Sequence, residues 1–107
     1  MRQTKRVRLE RKGWKIGSAQ ELLQLSDEEA AYIELKLALS DRLRSLREKK
    51  AVTQVEMAKM ISSSQSRVAK MESGDPSVSI DLLVKALLAL GATRRQIAGA
   101  MAASRAA

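Results

Sequence analysis

The stretch that decides the fold is Thr53–Glu72, T-Q-V-E-M-A-K-M-I-S-S-S-Q-S-R-V-A-K-M-E. It reads as two short helices joined by a tight turn. Thr53 caps the first helix, and Glu56 three residues later completes a capping box. Met57, Ala58 and Ile61 then recur on one apolar face. Three serines, Ser62 to Ser64, interrupt the pattern; serine side chains compete with helical backbone bonds and favour turns and caps. A second helix starts at Gln65, with Val68 and Met71 facing inward. Its other face carries Gln65, Ser66, Arg67 and Lys70, and such side chains match base edges: Arg or Lys to guanine, Gln to adenine. A plain helical hairpin with a solvated polar face has the same pattern, so the stretch alone leaves both readings open.

Working outward toward the C-terminus, S-G-D-P-S-V-S follows at 73–79. Gly74 fits the position just past a helix end, where a left-handed residue is needed. Pro76 stops any continuation, and Ser79 caps the next helix. Ile80, Leu83, Val84, Leu87, Leu88 and Leu90 make that helix strongly apolar, and Gly91 ends it. Thr93 caps a last helix carrying Ile97, Ala98 and Met101. The Ala-rich tail 102–107 is expected to fray.

Toward the N-terminus, Ser26 and Glu29 form another capping box, and Asp27, Glu28 and Glu29 in the first turn complement the helix dipole. Nothing breaks the helix before Lys50. The pattern predicts one helix of about 23 residues, or two divided near Ser40. Leu35, Leu39, Leu43 and Leu46 form a stripe that packs on the hairpin. Ile33 and Leu37, near Ala30 and Tyr32, form a second stripe, where a small-domain helix needs only one. Either the N-terminal segment or another chain covers it. Before this lie a short helix from Ser18, with Leu22, Leu23 and Leu25, and a basic arm. In the arm Val7 and Leu9 alternate with charged residues as in a short strand, and Trp14 is an anchor. The expected division is an arm and short helix over 1–25 and a helical domain over 26–107, with the hairpin at 53–72.

Composition narrows the function. A chain of 107 residues, 45% apolar, with one Pro and no Phe, suits one all-α domain. It has no Cys and no His, so disulfides, thiolate chemistry, the usual general base and the commonest metal ligand are missing. With no phosphate-cradling glycine loop and no nucleophile elbow, an enzyme is not expected, nor a metal or cofactor. No apolar run approaches the ~18 residues of a membrane span, and no secretory signal is indicated. A reducing cytoplasm is the expected setting. The net charge of +8 is uneven. Residues 1–16 hold seven basic groups against Glu10, whereas residues 17–40 hold five acids against Lys36. A basic total is what phosphate binding needs, though many basic proteins never touch nucleic acid.

The residues between Leu43 and Leu90 resemble a known family, the lambda-repressor-like helix-turn-helix domains of the XRE (Cro and phage-repressor) type. The matching pieces are L-R-S-L-R-E-K-K at 43–50, T-Q-V-E-M-A at 53–58, S-S-Q-S-R-V-A-K-M-E-S-G-D at 63–75 and P-S-V-S-I-D-L-L-V-K-A-L-L-A-L-G at 76–91. The resemblance implies a five-helix DNA-binding domain. It implies that Gln54 bonds a phosphate and that Ser64 caps the recognition helix close to DNA. Gln65, Ser66 and Lys70 would reach base edges in the major groove, with Arg67 on bases or backbone. Arg47 and Glu72 look like the family's internal ion pair, a stabilising one, since breaking a buried pair costs ~3–5 kcal/mol. Ala51 and Ser62 depart from the pattern, standing where the family often has Gly; if left-handed, each costs roughly 1 kcal/mol.

The preceding segment, G-W-K-I-G-S-A-Q-E-L-L-Q-L-S-D-E-E-A-A-Y-I-E-L-K-L-A-L, is similar to that of small XRE proteins encoded beside RelE/HigB-like toxins. In those, the DNA-binding protein is the antitoxin and represses its own operon. The resemblance therefore implies a homodimeric repressor on a near-palindromic operator, nucleoid-associated, with a RelE/HigB-like toxin as partner. The acidic 17–34 segment would meet a basic toxin. A stand-alone XRE-type regulator without a toxin, or a protein-interaction adaptor using the same fold, are the alternatives. The last two helices, with Leu88, Ile97 and Met101, are the expected dimer surface.

Overall fold

The computed structural model describes residues 23–103. They form five helices: α1 (Asp27–Lys49), α2 (Gln54–Met60), α3 (Gln65–Ser73), α4 (Ile80–Ala89) and α5 (Arg94–Ala102). No strand occurs among the described residues, and the fold is all-α. The basic arm, the strand expected around Val7 and Leu9, most of the helix expected over 18–25, and the last four residues lie outside the described part.

Each helix starts on a side chain that the sequence supplies. Ser26 Oγ accepts the Glu29 N–H at 3.1 Å while Glu29 Oε1 accepts the Ser26 N–H at 2.8 Å. The same reciprocal box joins Thr53 to Glu56 and Thr93 to Gln96. Ser64 and Ser79 cap α3 and α4. α1 is one uninterrupted helix of 23 residues. With no Gly or Pro between Asp27 and Lys50, nothing at Ser40 divides it.

The chain divides into two compact units. One is residues 1–34 with 105–107, of which 23–34 are described. There Ala30 is buried, Tyr32 is 47% exposed, and Leu25, Glu28, Glu29, Tyr32 and Ile33 line a shallow hollow. The other, Leu35–Ser104, has an aliphatic and Met core. Leu39, Leu43, Met57, Val68, Met71, Leu83 and Leu87 are fully enclosed in it. Leu46 packs at its edge, and Leu35 stays half-buried outside it. Leu37 lies against the loop after α3: a Cβ on Gly74 would stand 2.6 Å from its Cδ2. Lys36 is also buried, and its Nζ donates to the Pro76 carbonyl at 3.1 Å. Ile97, expected at a surface, is 8% exposed and belongs to the core, and Met101 packs against it. Of the three residues expected at a dimer surface only Leu88 is exposed.

α1, α2 and α4 close on the same pair of backbone bonds. After α1, the Ala51 N–H reaches Glu48 O and the Val52 N–H reaches Arg47 O. After α2, Ser62 reaches Lys59 O and Ser63 reaches Ala58 O; after α4, Gly91 reaches Leu88 O and Ala92 reaches Leu87 O. This is the Schellman closure, which needs one left-handed residue just past the helix. After α3, Gly74 occupies that position, and the Asp75 N–H makes the longer bond to Lys70 O. Gly91 does so after α4, but Ala51 (φ 59°) and Ser62 (φ 54°) do so after α1 and α2. Both departures from the family pattern thus sit in the backbone conformation that penalises a Cβ.

Candidate nucleic-acid interface

The hairpin α2–turn–α3 presents one face of α3 outward. Val68 and Met71 are fully buried, which turns Gln65, Ser66, Arg67 and Lys70 to solvent. Ser64 sits at the N-cap, its Oγ accepting the Arg67 N–H at 3.2 Å and lying 3.3 Å from Ser66 Oγ. Arg67 and Lys70 make no ion pair among the described residues, so their charge is turned outward. Ala69 and Ser73 complete the face, one half-buried and one exposed.

Behind this face lies a polar network. Arg47, from the last turn of α1, grips the Glu72 carboxylate with two parallel bonds, Nε to Oε2 and Nη2 to Oε1 at 3.0 Å. Its Nη1 donates to Val52 O at 2.8 Å, tying the α1–α2 turn into the same site. The bond to Glu72 raises the Arg47 pKa still further, against the opposing effect of burial. The Glu72 side chain is 4% exposed and that of Arg47 12%. The carboxylate takes a third donor: Gln54 Nε2 reaches Glu72 Oε1 at 3.2 Å. Gln54 Oε1 in turn accepts Gln65 Nε2 at 3.3 Å. One chain of hydrogen bonds thus runs from the buried pair through the head of α2 to the exposed head of α3.

Arg44, Arg47, Gln54, Ala69, Glu72 and Ser73 line a hollow beside α3. Arg44, Ala69 and Ser73 were not singled out from the sequence. The signal was there: Arg44 precedes Arg47 by three residues, and Ala69 and Ser73 share one helix face at i, i+4. Arg44 pairs with Glu48 at 3.3 Å, but both side chains are more than half exposed, so this pair is weak and easily exchanged. Beyond α3, Asp75 Oδ1 accepts the Ser77 N–H at 2.8 Å. Those bonds to Ser77, with attraction from Lys70 and Lys36, hold its carboxyl below the usual range. Among the described residues no group of acidic side chains is placed to hold a metal ion, and no helix is long and apolar enough to cross a membrane.

A short helix exposing Gln, Ser, Arg and Lys, held by a capped helical partner over an aliphatic core, is the arrangement of a helix-turn-helix domain. Comparison with family models agrees: the helix-turn-helix model matches residues 43–97, just over half of the chain. The chain belongs to that XRE-like helix-turn-helix family of DNA-binding regulators. Neither the curated proteins nor the solved structures provide a match. The matched range takes in the last two turns of α1, all of α2, α3 and α4, and the start of α5.

Proposed function

We propose that this chain is a sequence-specific transcriptional repressor that reads duplex DNA with α3 in the major groove. The observation that carries the proposal is the exposed Gln65–Ser66–Arg67–Lys70 face, with Gln54 and Ser64 at the heads of the two hairpin helices. Gln65 offers an amide suited to an adenine edge, and Lys70 a cation for guanine or phosphate. Gln54 and Ser64, at helix N-termini, suit phosphate oxygens, which fix register without reading sequence. In this reading residues 26–107 bind DNA and residues 1–25 extend them. A homodimer sets two α3 helices about 34 Å apart on a near-palindromic operator, in the cytoplasm at the nucleoid.

Selection from a randomised duplex pool by the full chain tests the proposal. An enriched motif is expected, and Gln65→Ala and Lys70→Ala each lose ~1–3 kcal/mol of preference for it over random DNA. Gln54→Ala weakens binding to random DNA as well as to the motif, as loss of a phosphate contact should. Absence of any binding at low salt refutes the proposal and leaves the adaptor reading.

A second role in the same protein, antitoxin of a toxin–antitoxin pair, is favoured by the N-terminal unit. Asp27, Glu28 and Glu29 are exposed there, beside the half-exposed Tyr32. An acidic surface with an aromatic anchor complements a basic RNA-cleaving partner. Deleting residues 1–25 should abolish protection from a RelE/HigB-like toxin encoded alongside while DNA binding survives. Full protection by the truncated chain would place the toxin-binding surface elsewhere, and no protection by the full chain would point to a stand-alone regulator.

A further inference from the structure

We infer that Glu72 sets the polarity of the DNA-reading amides, so that the buried ion pair is a specificity device as well as a brace. The inference rests on the DNA-binding reading above. A carboxylate can only accept hydrogen bonds. Glu72, side chain 4% exposed and gripped by Arg47, therefore compels Gln54 to turn its NH₂ inward, at 3.2 Å from Oε1. That leaves only the Gln54 carbonyl for Gln65. Gln65 must then turn its own NH₂ toward Gln54, as the 3.3 Å contact records.

One N–H and the carbonyl of Gln65 remain outward in a fixed order. Adenine presents an acceptor and a donor side by side in the major groove, and only one order of amide atoms matches them in a given approach. A Gln free to flip would present either order, and discrimination between bases would fall. Glu72 touches no base in this scheme; it is a positioning residue acting through Gln54.

Replacing Glu72 by Gln keeps its shape but supplies an amide that can either donate or accept, which frees the polarity. Arg47→Lys is the control: it loses the two-pronged grip but leaves the acceptor-only carboxylate in place. Both variants are made in an Ala51→Gly background, which relieves backbone strain in the turn after α1. The full chain is used, and relative affinities are measured for all four bases at each position of the selected motif.

At the position where Gln65→Ala changes preference, Glu72→Gln should lose about 2- to 10-fold discrimination, the scale of one ordinary hydrogen bond. Discrimination is read as a ratio between bases, so any change common to all sequences from the lost charge cancels, and Arg47→Lys should keep its discrimination. Unchanged discrimination in Glu72→Gln, or equal loss in both variants, overturns the inference. If Glu72→Gln does not fold, Gln54→Met decides: it cuts the same link from the exposed end, with the same loss expected and an unchanged preference overturning the idea. The two failures stay distinct. No enriched motif, or no effect of Gln65→Ala, fails the DNA-reading proposal itself. A motif that depends on Gln65 but not on Glu72 fails only the positioning role.

Discussion

Replacing Ala51 or Ser62 by glycine should stabilise the protein, although each substitution removes side-chain atoms and adds none. Both residues occupy the left-handed position of a Schellman closure, at φ 59° and 54°. An L-residue there costs about 1–2 kcal/mol. Glycine removes that cost but gives the unfolded chain more freedom, worth about 0.4–1 kcal/mol in the opposite sense. The balance is a gain of roughly 0.5–1 kcal/mol per site. For a unit the size of Leu35–Ser104, this raises Tm by about 2–8 °C. The two turns sit at opposite ends of α2, roughly 10 Å apart at 1.5 Å per residue, and share no backbone partner. Their effects should therefore add. The assay is urea unfolding followed by far-UV circular dichroism, in which the midpoint should rise while the slope m stays constant. Gly74→Ala is the mirror test. It meets the same backbone penalty at φ 75°, and its Cβ would also stand 2.6 Å from Leu37 Cδ2, so it should lose well over 1 kcal/mol. If Ala51→Gly and Ser62→Gly both lower the midpoint, the two turns store no left-handed strain and the reasoning fails.

Three other outcomes follow from the same contacts. Ser40→Ala should stabilise by about 0.5–2 kcal/mol in thermal unfolding, because Ser40 Oγ is buried without a hydrogen-bond partner among the described residues and Ala is the better helix former; a loss would reveal a bond the hydroxyl makes. Glu72→Ala should cost ~3–5 kcal/mol in urea, since it leaves the Arg47 guanidinium and the Gln54 amide without their acceptor, and a cost under 1 kcal/mol would show that the pair is not buried in solution. Asp75 has a lowered folded-state pKa, so its ionised form adds stability above the unfolded carboxylate range, and that contribution disappears as pH falls through the lower folded value. The stability difference between wild type and Asp75→Asn should hold steady above about pH 5 and shrink below about pH 4, and a difference independent of pH would contradict the cause assigned to the shift.

Much of this fold is legible in the sequence because its signals are local. Capping boxes lie within four residues, and three of them start helices here. The glycines at 74 and 91 mark helix ends, and the i, i+4 spacing of Leu39 and Leu43 marks the buried stripe of α1. Long-range facts are harder. The apolar pattern of α5 does not say whether Ile97 faces its own core or another chain, because both surfaces select the same residue types; the core takes it. Leu37 reads as a spare stripe, yet the loop after α3 covers it, and only the fold brings residues 37 and 74 together. The same holds for the site. Gln65, Arg67 and Lys70 are legible as one outward face of a short helix. The bond between Gln54 and Glu72 joins residues 18 apart and leaves no periodic trace.

The geometry of that bond bears on why an ion pair occupies the place at all. A buried pair is weak support for stability, because a well-packed apolar pair of the same volume is often as good or better. Here the carboxylate serves three donors: two from Arg47 and one from Gln54. Arg47 adds a third bond, to Val52 O in the turn where Ala51 is left-handed. An apolar pair could fill the same volume, but it would leave Gln54 Nε2 and the Val52 carbonyl without partners, each in a half-buried residue. It would also detach the head of α2 from the end of α3. What the pair adds over an apolar one is orientation: its donors hold the α1–α2 turn on one side, and its acceptor faces the amides beside the exposed face of α3 on the other. Within one ion pair, Arg47 Nη1 holds the turn and Glu72 Oε1 faces Gln54, so in the proposed scheme the turn and the reading face share one support.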